Sequence, residues 1–301
     1  MKYQEFVEEI VAKLREYYDV DAEVTLTDVS CNNNGHRDAV LIRYTGNDRI
    51  CPTIYLDNIF ERYSEEEYEI DYYVQMIIQM RTESVPGDSV TESVDKLMEW
   101  EQIKDSVYPV LLSTVGNEEF LSNFVSKPFL DLSIIYEIRL TEDAAGIASC
   151  KLSNALFNRY EITREELHEQ AIANMRHDGY KMEDIMQKMI GQFMEECDLD
   201  AEEIELQKGK MYVLSNRSMR HGAACLLYED FLKEKLGNTT AFILPSSIHE
   251  TLFVPIEEGM TAEAFSDMVC QVNEASVREC ERLSNHCYLW DGKEQKVKMA
   301  A

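Results

Sequence analysis

The chain has 301 residues, of which 45% are hydrophobic and 29% are charged, enough apolar material for more than one small domain. Its 29 Lys and Arg residues against 57 Asp and Glu residues give a formal net charge of −28, which disfavours direct binding to nucleic acid or to an anionic membrane surface. The 16 Tyr and 11 Phe residues argue against a disordered chain, because disordered sequences are poor in aromatic residues.

Residues 1–85 are predicted to form an N-terminal α+β module. Apolar residues recur at helical spacing near the start of the chain and predict an amphipathic helix over residues 2–18. An alternating strand at residues 22–29 is followed by SCNNNGHRD, which predicts a hairpin turn because Asn and Gly tolerate positive φ. The other predicted elements are strands at residues 39–44 and 51–57 and a helical stretch at residues 57–81.

Residues 92–195 are predicted to form a middle α+β module, separated from the first by the polar linker at residues 82–93, which contains Pro and Gly. Its clearest helix starts after Thr163, because Thr163 and Glu166 have the spacing of a capping box. Ile162 and Leu167 occupy the two positions of a hydrophobic staple. The other predicted elements are helices at residues 92–106 and 181–195 and strands at residues 129–140 and 146–154.

An acidic connector at residues 195–205 leads to a predicted C-terminal ββαββα module at residues 205–301. Thr261 is a suitable N-cap for its last helix, and the Asp-Gly pair at residues 291–292 predicts a turn between two final strands. The other predicted elements are a helix at residues 229–237 and strands at residues 211–216, 222–228, 241–245 and 251–255. Paired strands with helices between them predict an α+β fold, with antiparallel sheets of hairpins and amphipathic helices packed on one face.

The segment AFILPSSIHETLFVP, residues 241–255, places Ser246, Ser247, His249 and Glu250 between two apolar runs. Its length and composition are typical of a hairpin loop, in which Ser hydroxyls bond to nearby backbone. A second interpretation is a serine hydrolase that uses Ser247 and His249, since residues i and i+2 of a strand point to one side. No G-x-S-x-G elbow supports that chemistry. A third interpretation is a binding tip whose polar side chains bond to a partner.

Other candidate binding residues lie in three places. The tip of the first predicted hairpin contributes Asn33, Asn34 and Gly35. Asn273 lies towards the end of the last predicted helix, where a polar residue is expected to face solvent. His286 precedes Cys287, but adjacent residues of a strand point to opposite faces, so this pair is not expected to act as a dyad. The sequence identifies no catalytic residue.

The sequence predicts no metal and no cofactor. The eight Cys residues are scattered, and none belongs to a C-x-x-C pair, so in a reducing cytosol they are most simply small buried hydrophobes. Cys280, His286 and Cys287 have donor atoms for zinc but lack the paired spacing of structural zinc sites. The nucleotide-binding patterns G-x-x-x-x-G-K-[ST] and G-x-G-x-x-G do not occur either.

Several longer segments carry a family resemblance. They are CPTIYLD after the Asn-rich turn, KPFLDLSIIYEI, and a C-terminal series that contains MYVLSNRSMRHGAACLLY, AFILPSSIHETLFVP, VNEASV and LSNHCYLWD. The chain resembles domain of unknown function 5688 over residues 4–297 and is more weakly similar to domain of unknown function 1444. The resemblance implies an uncharacterised bacterial protein, chiefly of anaerobic gut Firmicutes and often near mobile elements. It brings no catalytic residue to this chain.

These observations predict a cytoplasmic protein. Acidic residues interrupt the N-terminal stretch MKYQEFVEEIVAKLREYYDV, so it does not have the pattern of a signal peptide. No apolar stretch approaches the roughly 18 residues of a membrane span. The sequence does not fix the oligomeric state.

The first functional hypothesis is a non-catalytic protein-binding or regulatory factor that uses an acidic surface and the loop tips at residues 32–36 and 246–250 to bind an unknown protein partner. The negative charge is most simply a solubility feature, and the alternative is that it attracts a basic partner. The second is an inhibitor that mimics nucleic acid and occludes a basic groove. It requires acidic residues clustered on one face, including Glu65, Glu66, Glu67 and the 195–205 segment. The third is an unrecognised hydrolase that uses Ser247, His249 or Cys287.

Overall fold

In the computed structural model the chain folds as two compact units, Met1–Lys96 and Leu97–Ala301. The structure describes residues 1–46, 51–66, 68–83, 94, 96–143, 146–186 and 210–300, and the side chains of residues 34 and 141–148 lie outside that description. Helices and antiparallel sheets confirm the predicted α+β fold. The division into three modules stays a prediction, and the acidic connector and most of the predicted linker lie outside the described residues.

The first unit is a three-stranded antiparallel sheet with helices, in the strand order β1-β2-β3. Its elements are α1 (Tyr3–Tyr18), β1 (Ala22–Ser30), β2 (His36–Tyr44), β3 (Thr53–Tyr55), α2 (Leu56–Glu65) and α3 (Ile70–Glu83). The apolar stripe of α1 packs into the core of this unit, where Phe6, Ile10 and Leu14 are fully buried. The β1–β2 register runs from Ala22 opposite Tyr44 to Ser30 opposite His36, which confirms the predicted hairpin.

The second unit begins with a four-stranded antiparallel sheet in which β6 pairs with β4, β5 and β7. Its elements are α4 (Trp100–Ile103), β4 (Val107–Ser113), α5 (Glu118–Ser122), β5 (Ser126–Phe129), β6 (Leu132–Asp143), β7 (Gly146–Lys151), α6 (Asn154–Phe157) and α7 (Arg164–Asp178). The predicted capping box of α7 is confirmed, because the Thr163 side chain accepts a hydrogen bond from the Glu166 N–H and Glu166 bonds back to Thr163.

A six-stranded antiparallel sheet follows, in the order β13-β12-β10-β11-β9-β8. Its strands and their helices are β8 (Tyr180–Asp184), β9 (Tyr212–Asn216), α8 (Glu229–Leu236), β10 (Ala241–Leu244), β11 (Thr251–Pro255), α9 (Ala262–Ser276), β12 (Tyr288–Asp291) and β13 (Lys296–Met299). One apolar cluster contains buried residues of both sheets, from Val107 and Ile135 to Phe253 and Trp290. The predicted β10–β11 hairpin, the last helix and the final strand pair are confirmed.

Two predicted elements of the second unit differ from the structure: one is wrong, and the other is wrong at residues 181–184 but helical at residues 185–186. The expected strand at residues 222–228 is a 3₁₀ helix, Gly222–Leu227. This run is apolar at almost every position and therefore carries no period that separates strand from helix. The expected helix at residues 181–195 begins instead as strand β8, which pairs with β9. Tertiary pairing overrides local propensity there, and residues 187–195 lie outside the described part of the chain.

Three further boundaries differ from the sequence prediction. The strand expected at residues 129–140 is divided, because Leu130 adopts a positive φ of 54° and turns β5 into β6. The helix expected at residues 92–106 is interrupted, because residues 94 and 96 and the segment Trp100–Ile103 are helical whereas residues 97–99 are not, and a 3₁₀ turn follows. The helical stretch expected at residues 57–81 is two helices, α2 and α3. Among the helices that the structure describes, none combines the length and apolarity needed to cross a membrane.

Candidate functional site

The apolar part of strand β6 contains two charged residues, Glu137 and Arg139. They are two positions apart and therefore share one face of the sheet. The strand register places Tyr108 of β4 opposite Glu137, and Ser149 of β7 opposite Arg139. The β6–β7 register shifts immediately after Arg139, and such bulges redirect side chains at the edges of functional sites. Charged residues inside a sheet need partners, because burying an unpaired charge is costly.

The Glu137 carboxylate is the centre of a buried charge cluster, with a side chain that is 4% exposed. Its Oε1 lies 3.3 Å from Nδ1 of His221, and its Oε2 lies 3.5 Å from a guanidinium nitrogen of Arg220. The Ser149 hydroxyl is 3.2 Å from Oε2 and accepts a 2.7 Å hydrogen bond from Arg220. Burial alone would raise the pKa of Glu137, but the contacts with His221, Arg220 and Arg139 outweigh burial and lower it to about 2. The carboxylate is therefore ionised in the folded protein at neutral pH.

Two partners of Glu137, Arg220 and His221, belong to the segment Asn216–Gly222, which begins at the last residue of β9 and which we call the basic turn. Two of its non-glycine residues have positive φ, Met219 at 51° and His221 at 54°. Left-handed backbone of this kind costs roughly 1–2 kcal/mol per residue and persists only where the surroundings enforce it. The Asn216 side chain supplies part of that enforcement, because it donates to the Arg220 carbonyl at 2.7 Å and accepts from the Arg220 N–H at 3.1 Å.

Gly222 ends the basic turn at a point of close backbone approach. A Cβ atom on Gly222 would lie 2.2 Å from Oγ of Ser215 and 2.3 Å from the carbonyl oxygen of His249. No larger residue fits without displacing backbone, so glycine is required here by packing. The contact also fixes the basic turn against the loop between β10 and β11, which carries His249.

His249 joins that loop to the basic turn through both its backbone and its side chain. The His221 N–H donates to Nδ1 of His249 at 3.3 Å, and the two imidazole rings stack with centroids 5.9 Å apart and planes 6° from parallel. The Ser215 hydroxyl donates to the His249 carbonyl at 2.8 Å. Burial is the largest cause that lowers the pKa of His249, and the nearby His221 acts in the same direction. Glu281, whose carboxylate is 3.8 Å from Nε2, opposes that shift.

Beside this cluster lies a pocket of about 220 Å³, which we call the arginine pocket. It is lined by Arg139, His177, Asp178, Arg217 and Ser218. The end of α7 supplies His177 and Asp178, β6 supplies Arg139, and the basic turn supplies the other two. The pocket therefore combines two guanidinium groups and an imidazole with a single carboxylate.

Arg139 is held rigidly at the pocket wall. Its guanidinium lies 3.5 Å from the centre of the Tyr108 ring, and it donates to Oδ2 of Asp178 at 2.5 Å. The Tyr108 hydroxyl donates to the other oxygen of Asp178 at 3.3 Å. The Nε atom of Arg139 is buried with no hydrogen-bond partner among the described residues, 3.9 Å from Glu137. By contrast, Arg217 is exposed and makes no ion pair within the described ranges.

The family model described as "Family of unknown function (DUF5688)" matches residues 3–292. The chain belongs to this family. No curated protein and no solved structure gives a significant match. The weaker similarity to domain of unknown function 1444 is not shown. The family description of DUF5688 assigns no activity, so the function of this chain has to be argued from its own residues.

In this DUF5688 chain the segment Ser246–Glu250, which we call the SSIHE loop, forms a hairpin loop. It is hydrogen-bonded to the basic turn and to residues 281–283. The Ser246 carbonyl accepts from the Leu283 N–H at 3.1 Å, and the Ile248 N–H donates to the Glu281 carbonyl at 2.9 Å. The Ser247 hydroxyl accepts from the His249 N–H at 3.1 Å. No hydrogen bond joins the side chains of Ser247 and His249 in the described part of the chain, so the geometry gives the hydrolase hypothesis no support. Glu250 adds negative charge near His249.

The other predicted site residues have separate surroundings. Asn33 is in the first unit, at the tip of the β1–β2 hairpin with φ 62°, and Gly35 follows with an ordinary φ of −64°. The Asn34 side chain lies outside the described atoms. His286 is exposed, and its N–H donates to the Ser284 hydroxyl at 3.0 Å.

The expectation that Asn273 faces solvent is wrong, because the residue is 2% exposed. Its amide donates to the Ser284 carbonyl at 3.0 Å and to the Asn285 side chain at 2.7 Å. These bonds fix α9 against the segment that precedes β12. The Asn273 side chain therefore points into the fold, because Ser284 and Asn285 supply oxygen acceptors for its amide. The sequence does not reveal that these residues lie beside α9.

The residues that form the charge cluster and the arginine pocket are not among those predicted from the sequence. They are Glu137, Arg139, Ser149, His177, Asp178, Arg217, Arg220 and His221. Two signals point to them: charged residues inside the apolar run SIIYEIRL, and the basic segment NRSMRH in an acidic chain. Both signals become informative only when the two segments are known to lie together. Among the described residues, no group of three or more His, Cys, Asp or Glu side chains is arranged to hold a metal ion.

The nucleic-acid-mimic hypothesis requires an acidic cluster, and the structure describes only part of that set. Glu67 and the 195–205 segment lie outside the described residues. Glu66 is described, and its carboxylate accepts from Arg62 at 3.3 Å and from the Tyr73 hydroxyl at 3.2 Å. These contacts occupy Glu66 within its own unit.

Proposed function

We propose that this DUF5688 protein is a non-catalytic binding protein, that its binding site is the arginine pocket, and that its ligand presents an anionic group. The observation that supports this proposal most is the exposed guanidinium of Arg217 at the pocket, which makes no ion pair with any residue that the structure describes. In a chain with a net charge of −28, acidic partners for an arginine are plentiful. A pocket whose arginine has no acidic partner in the described part of the chain is suited to an incoming carboxylate or phosphate, both of which match the guanidinium fork.

The second arginine supports the same ligand chemistry. Arg139 is fixed in advance by the Tyr108 ring and by Asp178. A guanidinium that is already ordered loses little conformational entropy when a ligand binds. Asp178 partly neutralises Arg139, which leaves Arg217 as the main source of positive charge without an acidic partner among the described residues that line the pocket.

A non-catalytic role is supported by the state of the side chains that could act as nucleophiles. The Ser149 and Ser247 hydroxyls are engaged in hydrogen bonds within the cluster and the loop. Burial raises the pKa of the Cys150 thiol, and it raises the pKa values of Cys225 and Cys287 to about 12. A buried thiol with a raised pKa is a weak nucleophile at neutral pH.

The source of the anionic group is either a small molecule or an acidic side chain of a protein partner. The second source keeps the hypothesis of a protein-binding or regulatory factor, and the strongly negative chain then favours a partner that is basic elsewhere on its surface. A bacterial cytoplasmic setting, with a link to mobile elements, is part of the same proposal and rests on the sequence analysis and the resemblance.

The proposal is tested by calorimetric titration of the protein with inorganic phosphate and, separately, with acetate. We expect phosphate to bind, because a dianion gains more from two arginines than a monoanion does. Arg217→Gln is expected to reduce phosphate affinity about tenfold, the loss of one charge-assisted hydrogen bond. Arg278→Gln is the matched control, because Arg278 is also exposed, makes no described ion pair and does not line the pocket.

Two results would overturn the proposal. Equal affinity of the wild type and Arg217→Gln would remove Arg217 from the binding site. An equal loss of phosphate affinity in Arg217→Gln and Arg278→Gln would mean that phosphate only screens the general charge of the protein. Preference for acetate over phosphate would keep the pocket and assign it to carboxylates.

A further inference from the structure

We propose that His249 is a proton-controlled latch that holds the basic turn in place and thereby regulates the arginine pocket. The latch is a property of the fold of the second unit and is measurable without a ligand. Only its effect on ligand affinity rests on the function proposed above. In this proposal the SSIHE loop holds the basic turn in place, and it is neither a catalytic loop nor a binding tip.

The hydrogen bond between His221 and His249 requires one protonation state of His249. The His221 N–H donates to Nδ1 of His249 at 3.3 Å, so Nδ1 has to carry a lone pair. In the neutral imidazole the proton then sits on Nε2, which faces Oε1 of Glu281 at 3.8 Å. Protonation of Nδ1 would set two donors against each other and break the contact.

The basic turn depends on this contact because its own backbone is unfavourable. Met219 and His221 hold left-handed conformations, and Gly222 is packed against the His249 carbonyl. The Ser215 hydroxyl bonds to the same carbonyl at 2.8 Å. When His249 moves, the loop carbonyl that packs on Gly222 moves with it. The strained residues then lose one of the contacts that enforce their conformation.

The same turn lines the arginine pocket with Arg217 and Ser218. Arg217 is therefore positioned by a segment whose conformation depends on His249, although His249 itself does not line the pocket. We expect opening of the latch to release Arg217 from the pocket wall. The rigid wall formed by Arg139, Tyr108 and Asp178 should stay in place, because its contacts do not involve His249.

Charged groups face His249 from every element that packs on it. His221 and Arg220 belong to the basic turn, Glu281 to the turn before β12, and Glu250 follows on the loop itself. Glu137 lies behind His221 at 3.3 Å. Burial, His221 and Arg220 lower the pKa of His249, whereas Glu281 and Glu250 raise it. The net direction is downward from about 6.5.

The sign of the pH dependence follows from that direction. A histidine whose folded-state pKa is lowered is neutral at neutral pH, where the latch is closed. As pH falls below the ordinary value, the unfolded chain takes up the proton first and the folded state loses stability. The latch itself opens as pH falls through the lowered folded-state pKa. Acidification is therefore the signal that releases the basic turn.

The test is amide hydrogen exchange of the full chain, followed by NMR at about pH 8 and about pH 5 and corrected for intrinsic exchange rates. In the wild type we expect the His221 amide to exchange about tenfold faster at the lower pH, the factor for loss of one hydrogen bond. His249→Asn keeps an acceptor oxygen near the Nδ1 position and does not titrate. In that variant the amide should stay protected at both values of pH.

Two more variants complete the experiment. His249→Leu removes the acceptor and should give fast exchange of the His221 amide at both values of pH. His286→Asn removes an exposed histidine elsewhere in the second unit and should behave like the wild type. The latch is contradicted if His249→Asn keeps the pH dependence of the wild type, or if the wild type shows none at the His221 amide.

Phosphate titration at the same two values of pH then separates the latch from the binding proposal. We expect phosphate affinity to fall more steeply on acidification in the wild type than in His249→Asn. A pH-dependent His221 amide in a protein that binds no phosphate would keep the latch and reject the proposed ligand. Phosphate binding with a His221 amide that is insensitive to pH would keep the pocket and reject the latch.

Discussion

The two hairpin loops at residues 31–35 and 245–250 have similar local chemistry and different surroundings. The first loop contains two internal hydrogen bonds, from the Cys31 N–H to the Gly35 carbonyl at 2.7 Å and from the Gly35 N–H to the Asn32 carbonyl at 3.3 Å. The second loop bonds to two distant segments, through Ile248 to Glu281 on one side and through His249 to the basic turn on the other. Turn residues therefore identify both hairpins, but only tertiary contacts make the second part of a candidate site.

Gly35 of the first loop and Gly222, which packs against the second loop, differ in how much space surrounds them. Gly35 has φ −64° and a Cβ there would be 3.1 Å from the Asn32 carbonyl oxygen, whereas a Cβ at Gly222 would be 2.2 Å from the Ser215 hydroxyl. The first position is tight but can relax within its own loop. The second is enclosed by two segments of the fold, so its neighbours cannot move independently.

The largest expected difference between the two loops comes from adding one methyl group at these glycines. Gly222→Ala should destabilise the second unit by about 3 kcal/mol or more, because the new Cβ displaces backbone. Gly35→Ala should change the stability of the first unit by no more than about 1 kcal/mol. Urea unfolding followed by tryptophan fluorescence separates the two, since both tryptophans, Trp100 and Trp290, lie in the second unit. Equal effects of the two changes on that transition would contradict the comparison.

The buried charge beneath the second loop should have the next largest effect. Glu137→Gln is expected to destabilise the second unit by about 3 kcal/mol at neutral pH, because it removes the buried negative charge that Arg220, Arg139 and His221 contact. A carboxyl with a lowered pKa stabilises the fold above its ordinary value of 4.5, and this stabilisation is lost as pH falls towards the folded-state value of about 2. The difference between wild type and variant should therefore shrink in acid.

The measurement for Glu137 is a series of urea unfolding curves between about pH 7 and about pH 3. Glu161→Gln is the control, since Glu161 is exposed and makes no described hydrogen bond or ion pair. If the difference in unfolding free energy between wild type and Glu137→Gln stays constant over the whole pH range, the carboxylate charge is not what stabilises the cluster.

Single hydrogen bonds in the two loops should have the smallest effects. Ser247→Ala removes the acceptor for the His249 N–H and should cost the second unit about 1 kcal/mol. Asn33→Gly keeps the left-handed conformation at φ 62° and should leave the tryptophan transition unchanged. Thermal unfolding of both variants checks this pair. An Asn33→Gly change that shifts the tryptophan transition as much as Ser247→Ala would contradict the separate roles of the loops.

Elements with a regular period or a local signal were predictable from the sequence. The capping box at Thr163 and Glu166, the paired apolar runs of β10 and β11, and the stripe of α9 each depend on neighbouring residues. The 3₁₀ helix at Gly222–Leu227 was not predictable, because a short run that is apolar throughout has no period. Strand β8 was missed because its structure is imposed by pairing with β9.

The candidate site was harder to predict than the fold, because its residues are far apart along the chain. Glu137 and Arg220 are 83 positions apart, and no local pattern connects them. The loop residues that the sequence does single out, Ser247 and His249, lie beside the basic turn. The polarity of His249 between two apolar runs is visible in the sequence, but its contact with His221 is visible only in the structure. A buried charge in an apolar strand, as in SIIYEIRL, is the sequence signal worth following in such chains.

The most direct test of the central claim is an arginine-selective NMR titration of the full chain with inorganic phosphate, which observes the Nε–H signals of individual arginines. The account predicts saturable shifts of the Arg217 and Arg139 signals, with the Arg278 signal unchanged. Equal, unsaturable shifts of all three signals would show that phosphate acts only as a screening ion and would contradict the assignment of the arginine pocket as a binding site.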